Sequence, residues 1–286
     1  VEMSKIRIVT DSTADLPKEL IEKYGITIVP LKIHFNDVET YLDGVDLTPG
    51  EFYEKLRNSE KPPTTSQPPP GEFVSTYENL ALKGAEEIIS IHLSKKFSGT
   101  YQSACLAKNL VNEKVNVEVI DSQSVSMGMG LIVLAAAKAA QEGKSFQEIL
   151  ALVNDLINKM TIYFIVDTLD YLEKGGRIGK ASYLLGSLLS IKPILEISDG
   201  EIHVYEKARG RSKAIERLLE IAQSKIKENS KVMCSLVHCD ALPELMKLSN
   251  KVTEILNCED LIISDVGGVI GTHVGPGTIG LIFYEI

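Results

Sequence analysis

The sequence predicts an α/β protein of two domains, and three observations support this fold class. The chain has 286 residues, which is long for a single hydrophobic core. In its first half, short β-branched runs alternate with segments of helical periodicity, as in parallel βαβ units. Beyond about residue 160, a hairpin pattern and successive strands replace this alternation. We therefore predict an N-terminal parallel-sheet domain over residues 1–160 and a C-terminal α/β domain with a mixed sheet over residues 161–286.

The first domain is predicted to contain four strands and six helices. β-Branched runs indicate the strands, while a proline at a helix start and a glycine after its end, as at Pro17 and Gly25, mark the helices. The predicted strands are residues 6–10, 26–35, 87–93 and 117–120, and the predicted helices are residues 17–24, 49–58, 72–82, 101–111, 126–141 and 145–159. Five prolines lie within residues 61–71, which predicts an extended and stiff connector.

The second domain has a different order of elements. A turn at Ser198-Asp199-Gly200 joins two strand-like runs and indicates a β-hairpin. Residues 179–190 are apolar around most of a helical circumference. The predicted strands are residues 161–166, 191–197, 201–205, 232–237, 260–264 and 279–286, and the predicted helices are residues 212–228 and 242–256, with a short helical segment before Gly175-Gly176.

Composition and charge exclude several classes of function. The net charge is −9 and the densest basic stretch, residues 207–213, holds four cations, so we expect no nucleic-acid binding. The longest apolar run, residues 130–137, is far shorter than the roughly 20 residues of a membrane span, so we expect no membrane insertion. The four cysteines lack CxxC spacing and the five histidines form no ligand motif, which predicts free thiols and no metal. The N-terminal residues lead directly into a strand pattern, so we expect no secretory signal and a cytoplasmic protein.

Five turns are together rich in hydroxyl groups and glycines and carry almost no catalytic base. Their Ser and Thr hydroxyls and free backbone N–H groups, with one arginine and one histidine, are suited to holding an anion by hydrogen bonds. Each turn alone has an ordinary structural explanation, such as a helix N-cap at Ser98 or a surface charge at Arg177. Their joint presence favours a binding site for a small acid. The turns are residues 11–16, 64–68, 97–101, 174–178 and 272–278.

Patterns typical of nucleotide-binding or hydrolytic enzymes match only in part. Residues 275–280 fit GxGxxG, but a strand rather than a helix is predicted after them. Residues 175–180 have too short a glycine spacing for a P-loop. One alternative stays open, a hydrolase or transferase that acts on a small acyl substrate through Ser98 and His273. Ser98 lacks the GxSxG context of a nucleophile elbow, and no orienting carboxylate is evident.

An ordered set of motifs resembles the DegV family of bacterial lipid-binding proteins nearly from end to end of the chain. The set comprises VTDSTADL at residues 9–16, TSQP at 65–68, FSGTY at 97–101, VIDS at 119–122, KGGRI at 174–178, IKP at 191–193 and THVGPG at 272–277. The resemblance implies a two-domain α/β protein with a long-chain fatty acid, such as palmitate, bound between or beside the domains and with no other cofactor. It also implies a non-catalytic role as the fatty-acid-binding subunit of a bacterial fatty acid kinase. A separate ATP-dependent kinase subunit would phosphorylate the bound carboxylate.

The resemblance also implies roles for individual residues. Thr65 and Ser98 match the threonine and serine that hold the carboxylate, and we expect Ser66, Gly99 and His273 beside them. Arg177 and His273 match residues that assist at the head group when the acyl phosphate forms.

The acyl tail is expected in a closed apolar cavity of the second domain. Residues 183–195 hold more leucine and isoleucine than one helix face needs. The residues predicted to line the cavity are Leu184, Leu188, Leu189, Ile191 and Ile194. Lys95, Lys96 and Phe97 depart from the family pattern, which leaves the acyl-chain preference open.

Overall fold

The computed structural model describes residues 5–36, 38–111, 115–185 and 191–286 of the chain. The strands are β1 (Ile6–Asp11), β2 (Thr27–Val29), β3 (Lys32–Phe35), β4 (Glu39–Leu42), β5 (Thr64–Ser66), β6 (Glu87–His92), β7 (Asn116–Asp121), β8 (Thr161–Ile165), β9 (Ile191–Ser198), β10 (Glu201–Arg209), β11 (Val232–His238), β12 (Cys258–Asp265) and β13 (Ile279–Glu285). The α-helices are α1 (Lys18–Tyr24), α2 (Pro49–Arg57), α3 (Pro70–Leu82), α4 (Thr100–Lys108), α5 (Met127–Gln141), α6 (Phe146–Lys159), α7 (Asp170–Lys174), α8 (Arg211–Lys225), α9 (Leu242–Ile255) and α10 (Gly268–Val274). Short 3₁₀ helices cover Ser12–Ala14 and Gly179–Leu184.

Among the described residues, the strands form three sheets. The N-terminal sheet has the order β2-β1-β6-β7, and its neighbours pair in parallel. The C-terminal sheet has the order β10-β9-β8-β13-β11-β12, in which β11 and β12 are parallel and the other neighbours are antiparallel. A small antiparallel sheet, β4-β3-β5, carries Thr65. The predicted α/β class, with an N-terminal parallel sheet and a C-terminal mixed sheet, is therefore confirmed.

A shared hydrophobic core joins the facing sides of the two large sheets. Ile8 and Ile91 of the N-terminal sheet belong to the same cluster of buried side chains as Ile162 and Ile282 of the C-terminal sheet. Separate clusters cover the outer faces, where α3 and α4 pack on the N-terminal sheet and α8 and α9 pack on the C-terminal sheet. Each large sheet therefore presents one face to a common interior, as layered α/β architectures do.

Helix α5 lies in this common interior. Its side chains are buried on almost every face, which its apolar composition requires. Two glycines allow close approach: an added Cβ at Gly128 would lie 2.4 Å from Ile162 Cδ1, and one at Gly130 would lie 2.5 Å from the carbonyl oxygen of Ala14. Helix α5 therefore contacts β1 on one side and β11 and β13 on the other.

The predicted domain boundary at residue 160 falls between the end of α6 and the start of β8. Both α5 and α6 contribute side chains to the core that the two sheets share. The division into two domains at this position therefore stays a prediction. In the described ranges, we find no helix with the length and apolar composition needed to cross a membrane.

Several predicted elements differ from the structure. The single strand predicted over residues 26–35 is wrong, because β2 and β3 lie in different sheets with Pro30 between them. Proline has no N–H to donate to a strand ladder, which explains the break. The segment predicted as a glycine-rich turn at residues 272–278 begins inside α10, so His273 lies on a helix. Part of the apolar segment at 179–190 forms a 3₁₀ helix, and residues 186–190 lie outside the described residues.

Candidate functional site

An apolar cavity of about 280 Å³ lies between the facing sides of the two large sheets. This volume is near the lower end of the range for small-molecule sites. The apolar residues of its wall are Leu31, Leu93, Phe97, Val125, Ile162, Phe164, Leu172, Ile197, Ile202, Val237, Val266, Val269, Ile270, Val274 and Ile282. The polar residues of its wall are Thr65, Ser66, Gln67, Ser98, Ser126, Arg177, His273 and Thr278.

Four predicted head-group residues lie together in this wall. Thr65 is in β5, Ser98 follows β6, Arg177 follows α7, and His273 is in the last turn of α10. The fold brings Thr65 and His273 into contact although they are 208 residues apart in the chain. We call Thr65, Ser98, Arg177 and His273 the polar end of the cavity.

His273 lies between Thr65 and the segment at Gly175. Its Nε2 lies 2.8 Å from Thr65 Oγ1, and its buried Nδ1 has no hydrogen-bond partner among the described residues. An added Cβ at Gly175 would lie 2.2 Å from that Nδ1, so a side chain there would displace the imidazole. Burial, with a smaller contribution from the Arg177 charge, lowers the pKa of His273 to about 4. The imidazole is therefore neutral at neutral pH and can donate one hydrogen bond and accept another.

Arg177 is held by backbone carbonyl groups. Its Nε donates to the carbonyl oxygen of Phe97 at 3.0 Å, and its Nη1 donates to that of Gly175 at 2.7 Å. Within the described ranges, Arg177 forms no ion pair with a carboxylate. Its positive charge is therefore positioned beside Ser98 and His273 and is available to an anionic ligand.

Ser98 lies just before α4, but it is not the N-cap residue that the sequence predicts. The N-cap is Gly99, while Ser98 Oγ lies 2.9 Å from Thr100 Oγ1 and accepts a hydrogen bond from the Thr100 N–H at 3.3 Å. An added Cβ at Gly99 would lie 2.4 Å from Gln67 Oε1, so glycine permits the Gln67 amide to lie against this turn. Gln67 lines the cavity, and only its place in the TSQP motif indicated it from the sequence.

Ser66 also lines the cavity, but its hydroxyl group has another partner. Ser66 Oγ lies 2.8 Å from His34 Nε2, and His34 Nδ1 lies 2.9 Å from Thr40 Oγ1. Because successive side chains of a strand point to opposite faces, Thr65 and Ser66 in β5 have different surroundings. A direct role for Ser66 at the carboxylate stays a prediction.

Helix α10, which carries His273, packs unusually close to α2. An added Cβ at Gly268 would lie 2.7 Å from Phe52 Cδ2, and one at Gly271 would lie 2.7 Å from the Tyr53 hydroxyl oxygen. The glycines of this segment therefore allow α10 to pack closely against α2. This explains why a pattern that resembles a loop forms a helix.

Two buried acids hold the N-terminal end of α10. Asp15 Oδ1 accepts a hydrogen bond from the Gly267 N–H at 2.9 Å, and Asp43 Oδ1 accepts one from the Gly268 N–H at 3.0 Å. Burial raises the pKa of Asp15 well above its usual range and raises that of Asp43 to about 6. The sequence did not indicate Asp43, since its partner is 225 residues away. Both acids fix the helix that positions His273.

The raised pKa of Asp43 predicts a pH-dependent contribution to stability. Because folding favours the protonated carboxyl group, this contribution is present below pH 4 and is lost as the pH rises through about 6. The loss is on the order of 3 kcal/mol. In Asp43→Asn, which keeps an oxygen acceptor for Gly268, the free energy of unfolding relative to the wild type should therefore rise between pH 4 and pH 7.

Urea denaturation of the two proteins at several pH values measures this difference. The wild type must be measured in parallel because His273 also makes the free energy of unfolding depend on pH. Its pKa is lowered, so its contribution changes with pH in the opposite direction to that of Asp43. Asp46→Asn removes a carboxyl group from an exposed neighbour and is the control substitution. Parallel pH profiles for Asp43→Asn and the wild type would contradict the prediction.

Of the residues predicted for the acyl tail, the described ones are absent from the wall of this cavity. Leu184 is buried in the shared core but is not part of the cavity wall, and Ile191 is half-buried at the start of β9. Ile194 packs in the cluster on the outer face of the C-terminal sheet. Leu188 and Leu189 lie outside the described residues. The cavity has walls from both halves of the chain and is not confined to the second predicted domain.

The contacts do not support the alternative of a serine nucleophile. His273 Nε2 faces Thr65, and Ser98 Oγ faces Thr100. No hydrogen bond links Ser98 to His273 in the described part of the chain, so the base of a nucleophilic pair is not in place. Across the same ranges, no group of three or more His, Cys, Asp or Glu side chains is arranged to hold a metal ion.

A second cavity of about 370 Å³ lies on the other side of the polar end. We call it the outer cavity. It shares Thr65, Arg177 and His273 with the wall of the apolar cavity. Its other wall residues are Pro62, Pro63, Thr64, Tyr171, Lys174, Gly175 and Thr272. Pro62, Thr64 and Lys174 are exposed, so the outer cavity connects the polar end with the surface.

Fold and site together define an α/β protein in which an apolar interior cavity ends in hydroxyl, imidazole and guanidinium groups. The chain belongs to the DegV family, whose model it matches over residues 5–285. It is 41% identical over 283 residues to a DegV domain-containing protein of Caldanaerobacter subterraneus, covering 99% of this chain and 100% of that one. It is 42% identical over 282 residues to one of Halalkalibacterium halodurans, covering 99% of each chain.

Solved structures with the same fold are described as fatty acid binding. A DegV family protein from Thermus thermophilus has a TM-score of 0.92 and 36% identity, with 98% of this chain and 99% of that one covered. DegV of Bacillus subtilis, described as a fatty acid binding protein, has a TM-score of 0.90 and 35% identity, with 98% and 99% covered. A stearic acid-binding protein from Eubacterium ventriosum has a TM-score of 0.90 and 31% identity, with 98% of each chain covered.

Proposed function

We propose that this chain binds one long-chain fatty acid, with its acyl tail in the apolar cavity and its carboxylate at the polar end. The observation that carries the proposal is the division of the cavity wall into a large apolar part and a cluster of groups suited to an anion. A fatty acid has the same division into an apolar chain and an anionic head. The fatty acid binding proteins of Thermus thermophilus and Bacillus subtilis share the fold over nearly the whole chain, which supports the proposal.

The two parts of the ligand contribute differently to binding. Each buried methylene contributes about 0.8 kcal/mol, and part of this gain is lost when the tail is immobilised. Burial of a carboxylate is costly unless hydrogen bonds replace its hydration. The hydroxyl groups of Thr65 and Ser98 can donate such bonds, and Arg177 supplies a positive charge. The tail therefore contributes most of the affinity, and the head group determines the orientation.

Thr65→Ala and Ser98→Ala should each weaken fatty acid binding while the fold stays intact. Each substitution removes one hydrogen bond to a charged group, a loss of roughly 1.5–3 kcal/mol, which corresponds to about tenfold to hundredfold in the dissociation constant. Titration with a fluorescent fatty acid measures the change.

Ser66→Ala is the matched control for these variants. It removes a hydroxyl group from the same strand, but that hydroxyl contacts His34. We expect it to weaken binding less than Thr65→Ala does. Unchanged affinity in both Thr65→Ala and Ser98→Ala would mean that the carboxylate lies elsewhere.

We further propose that the chain presents the bound carboxylate to a separate ATP-dependent kinase subunit and is itself non-catalytic. The outer cavity supports this, since it leads from the exposed Lys174 to the Thr65, Arg177 and His273 side of the polar end. A phosphoryl donor held by a partner can approach the carboxylate from that side. Arg177 then lies where negative charge gathers during the transfer. Because the partner uses ATP, we place this function in the cytoplasm.

A further inference from the structure

A polar pocket of about 220 Å³ adjoins the apolar cavity. Ile162 and Ile197 line both spaces. These two isoleucines therefore form a partition between an apolar interior and a polar one. The polar residues of the pocket wall are Ser122, Gln123, Ser124, Asn158, Ser198 and Asp199.

The partition belongs to a row of four isoleucines across the C-terminal sheet. Ile202 pairs with Ile197 and Ile162 pairs with Ile282. Pairing of Tyr163 with Glu196 in the same antiparallel register sets Ile162 opposite Ile197. All four isoleucines line the apolar cavity. Of these four, Ile162 and Ile197 also belong to the described wall of the polar pocket, and Ile202 and Ile282 do not.

Ile162, one of the two residues of the partition, lies away from His273 along the C-terminal sheet. Thr278 Oγ1 donates to the carbonyl oxygen of Val274 at 3.0 Å, directly after His273 in the chain. Ile282 is four residues beyond Thr278 along β13, which corresponds to roughly 13 Å in a strand, and Ile162 is its partner in β8. An acyl chain with its carboxylate at the polar end can therefore reach Ile162 with its terminal carbons.

The far side of the partition is suited to water. Ser124 is 2% exposed, and its hydroxyl group has no hydrogen-bond partner among the described residues. Gln123, Asn158 and Asp199 are exposed, so they connect the pocket with solvent. A polar space of this volume with several hydrogen-bonding groups can hold water. An acyl methyl group gains nothing by entering it.

We propose that Ile162 and Ile197 set the upper limit of acyl-chain length by closing the apolar cavity against the polar pocket. This inference rests on the proposed function, in which the tail occupies the apolar cavity. Up to the partition, each added methylene is buried and improves affinity about fourfold. Beyond it, a further methylene must displace an isoleucine or enter the polar pocket, so the gain stops.

The test is the affinity of the full-length protein for straight-chain saturated acids of increasing length, measured by displacement of a fluorescent fatty acid. Wild-type affinity should rise to an optimal length and then level off or fall. Ile162→Ala and Ile197→Ala each remove three carbons from the partition. In each variant, we expect the acid that binds most tightly to be about two carbons longer than in the wild type. Relative to the acid that the wild type binds best, the affinity for this longer acid should rise on the order of tenfold.

Two controls separate this role from general loosening of the core. Ile282→Ala removes the same volume from the same row without opening the polar pocket, so it should weaken all acids without shifting the optimum. Ile165→Ala, on the outer face of β8, should change stability but not the length profile. Ile162→Val and Ile197→Val are milder substitutions that should shift the optimum in the same direction.

The outcomes distinguish this inference from the proposed function. If the wild type binds long-chain acids but all partition variants keep its optimum, the partition role is refuted while fatty acid binding stands. An equal shift in Ile282→Ala would also refute it. A wild type that binds no acid of the series would overturn the proposed function and the inference with it.

Discussion

The affinity of this protein for straight-chain fatty acids is expected to rise about fourfold with each added methylene until the chain fills the apolar cavity. Over six methylenes this amounts to an increase of roughly four-thousandfold, less the cost of immobilising the tail. The reason is that the cavity wall is mostly apolar beyond the polar end. The head group is the same in every acid of the series, so it contributes equally throughout.

Isothermal titration of the delipidated protein with acids from acetate upward measures this series. Acetate and butyrate should show no tight binding, because they present the carboxylate without the tail. Alkyl alcohols of matched length serve as the control for the head group, since they keep the tail and lose the charge. Equal affinity for short and long acids would contradict a buried tail.

Arg177→Ala should reduce acyl phosphate formation with the proposed kinase subunit far more than it reduces fatty acid binding. The guanidinium group is fixed beside the polar end by the carbonyl groups of Phe97 and Gly175. Groups placed where charge develops in a transition state contribute about a hundredfold to a thousandfold in rate. A monoanionic carboxylate that already has two hydroxyl donors depends less on this charge, so we expect its affinity to change by about tenfold or less.

Two further variants sharpen the Arg177 prediction. Lys180→Ala removes a nearby exposed cation that pairs with Glu201, and it should leave the rate unchanged. Arg177→Lys keeps the charge but loses the planar fork, so it should restore only part of the rate. Acyl phosphate is measured by transfer of labelled phosphate from ATP, with dissociation constants for the same fatty acid determined in parallel. Wild-type turnover in Arg177→Ala would show that this role is wrong.

Much of the fold was predictable because local patterns agree with tertiary structure. The hairpin of β9 and β10 has its turn at Asp199-Gly200, where both residues adopt positive φ as the sequence suggests. The helix at Phe146–Lys159 begins with a capping box at Ser145 and Glu148. In these segments the residues that determine the structure are neighbours in the chain, so a short window of sequence contains the necessary information.

Helix α10 could not be predicted in the same way. Its sequence is rich in glycine and β-branched residues, which are poor helix formers in isolation. It is stabilised by close packing on Phe52 and Tyr53 and by hydrogen bonds from its first N–H groups to Asp15 and Asp43. These partners are more than 200 residues away in the chain.

The cavity residues also differ in whether the sequence could indicate them. Thr65, Ser98, Arg177 and His273 lie in recognisable motifs, and the structure brings them together at one end of the cavity. The apolar wall takes one or two residues from each of several strands and helices, so no single segment has a distinctive composition. The apolar segment at residues 183–195 suggested a cavity wall, but Ile194 lies on the outer face of β9, the side of α8, because of strand alternation.

The most direct test of fatty acid binding is native mass spectrometry of the purified protein, before and after incubation with an equimolar long-chain fatty acid. We expect each chain to carry the added mass of one fatty acid, either co-purified or taken up, and to lose it on delipidation. Thr65→Ala and Ser98→Ala should retain less of it under the same conditions. A chain that stays empty in the presence of long-chain acids, and that hydrolyses a small acyl ester instead, would contradict the proposed function.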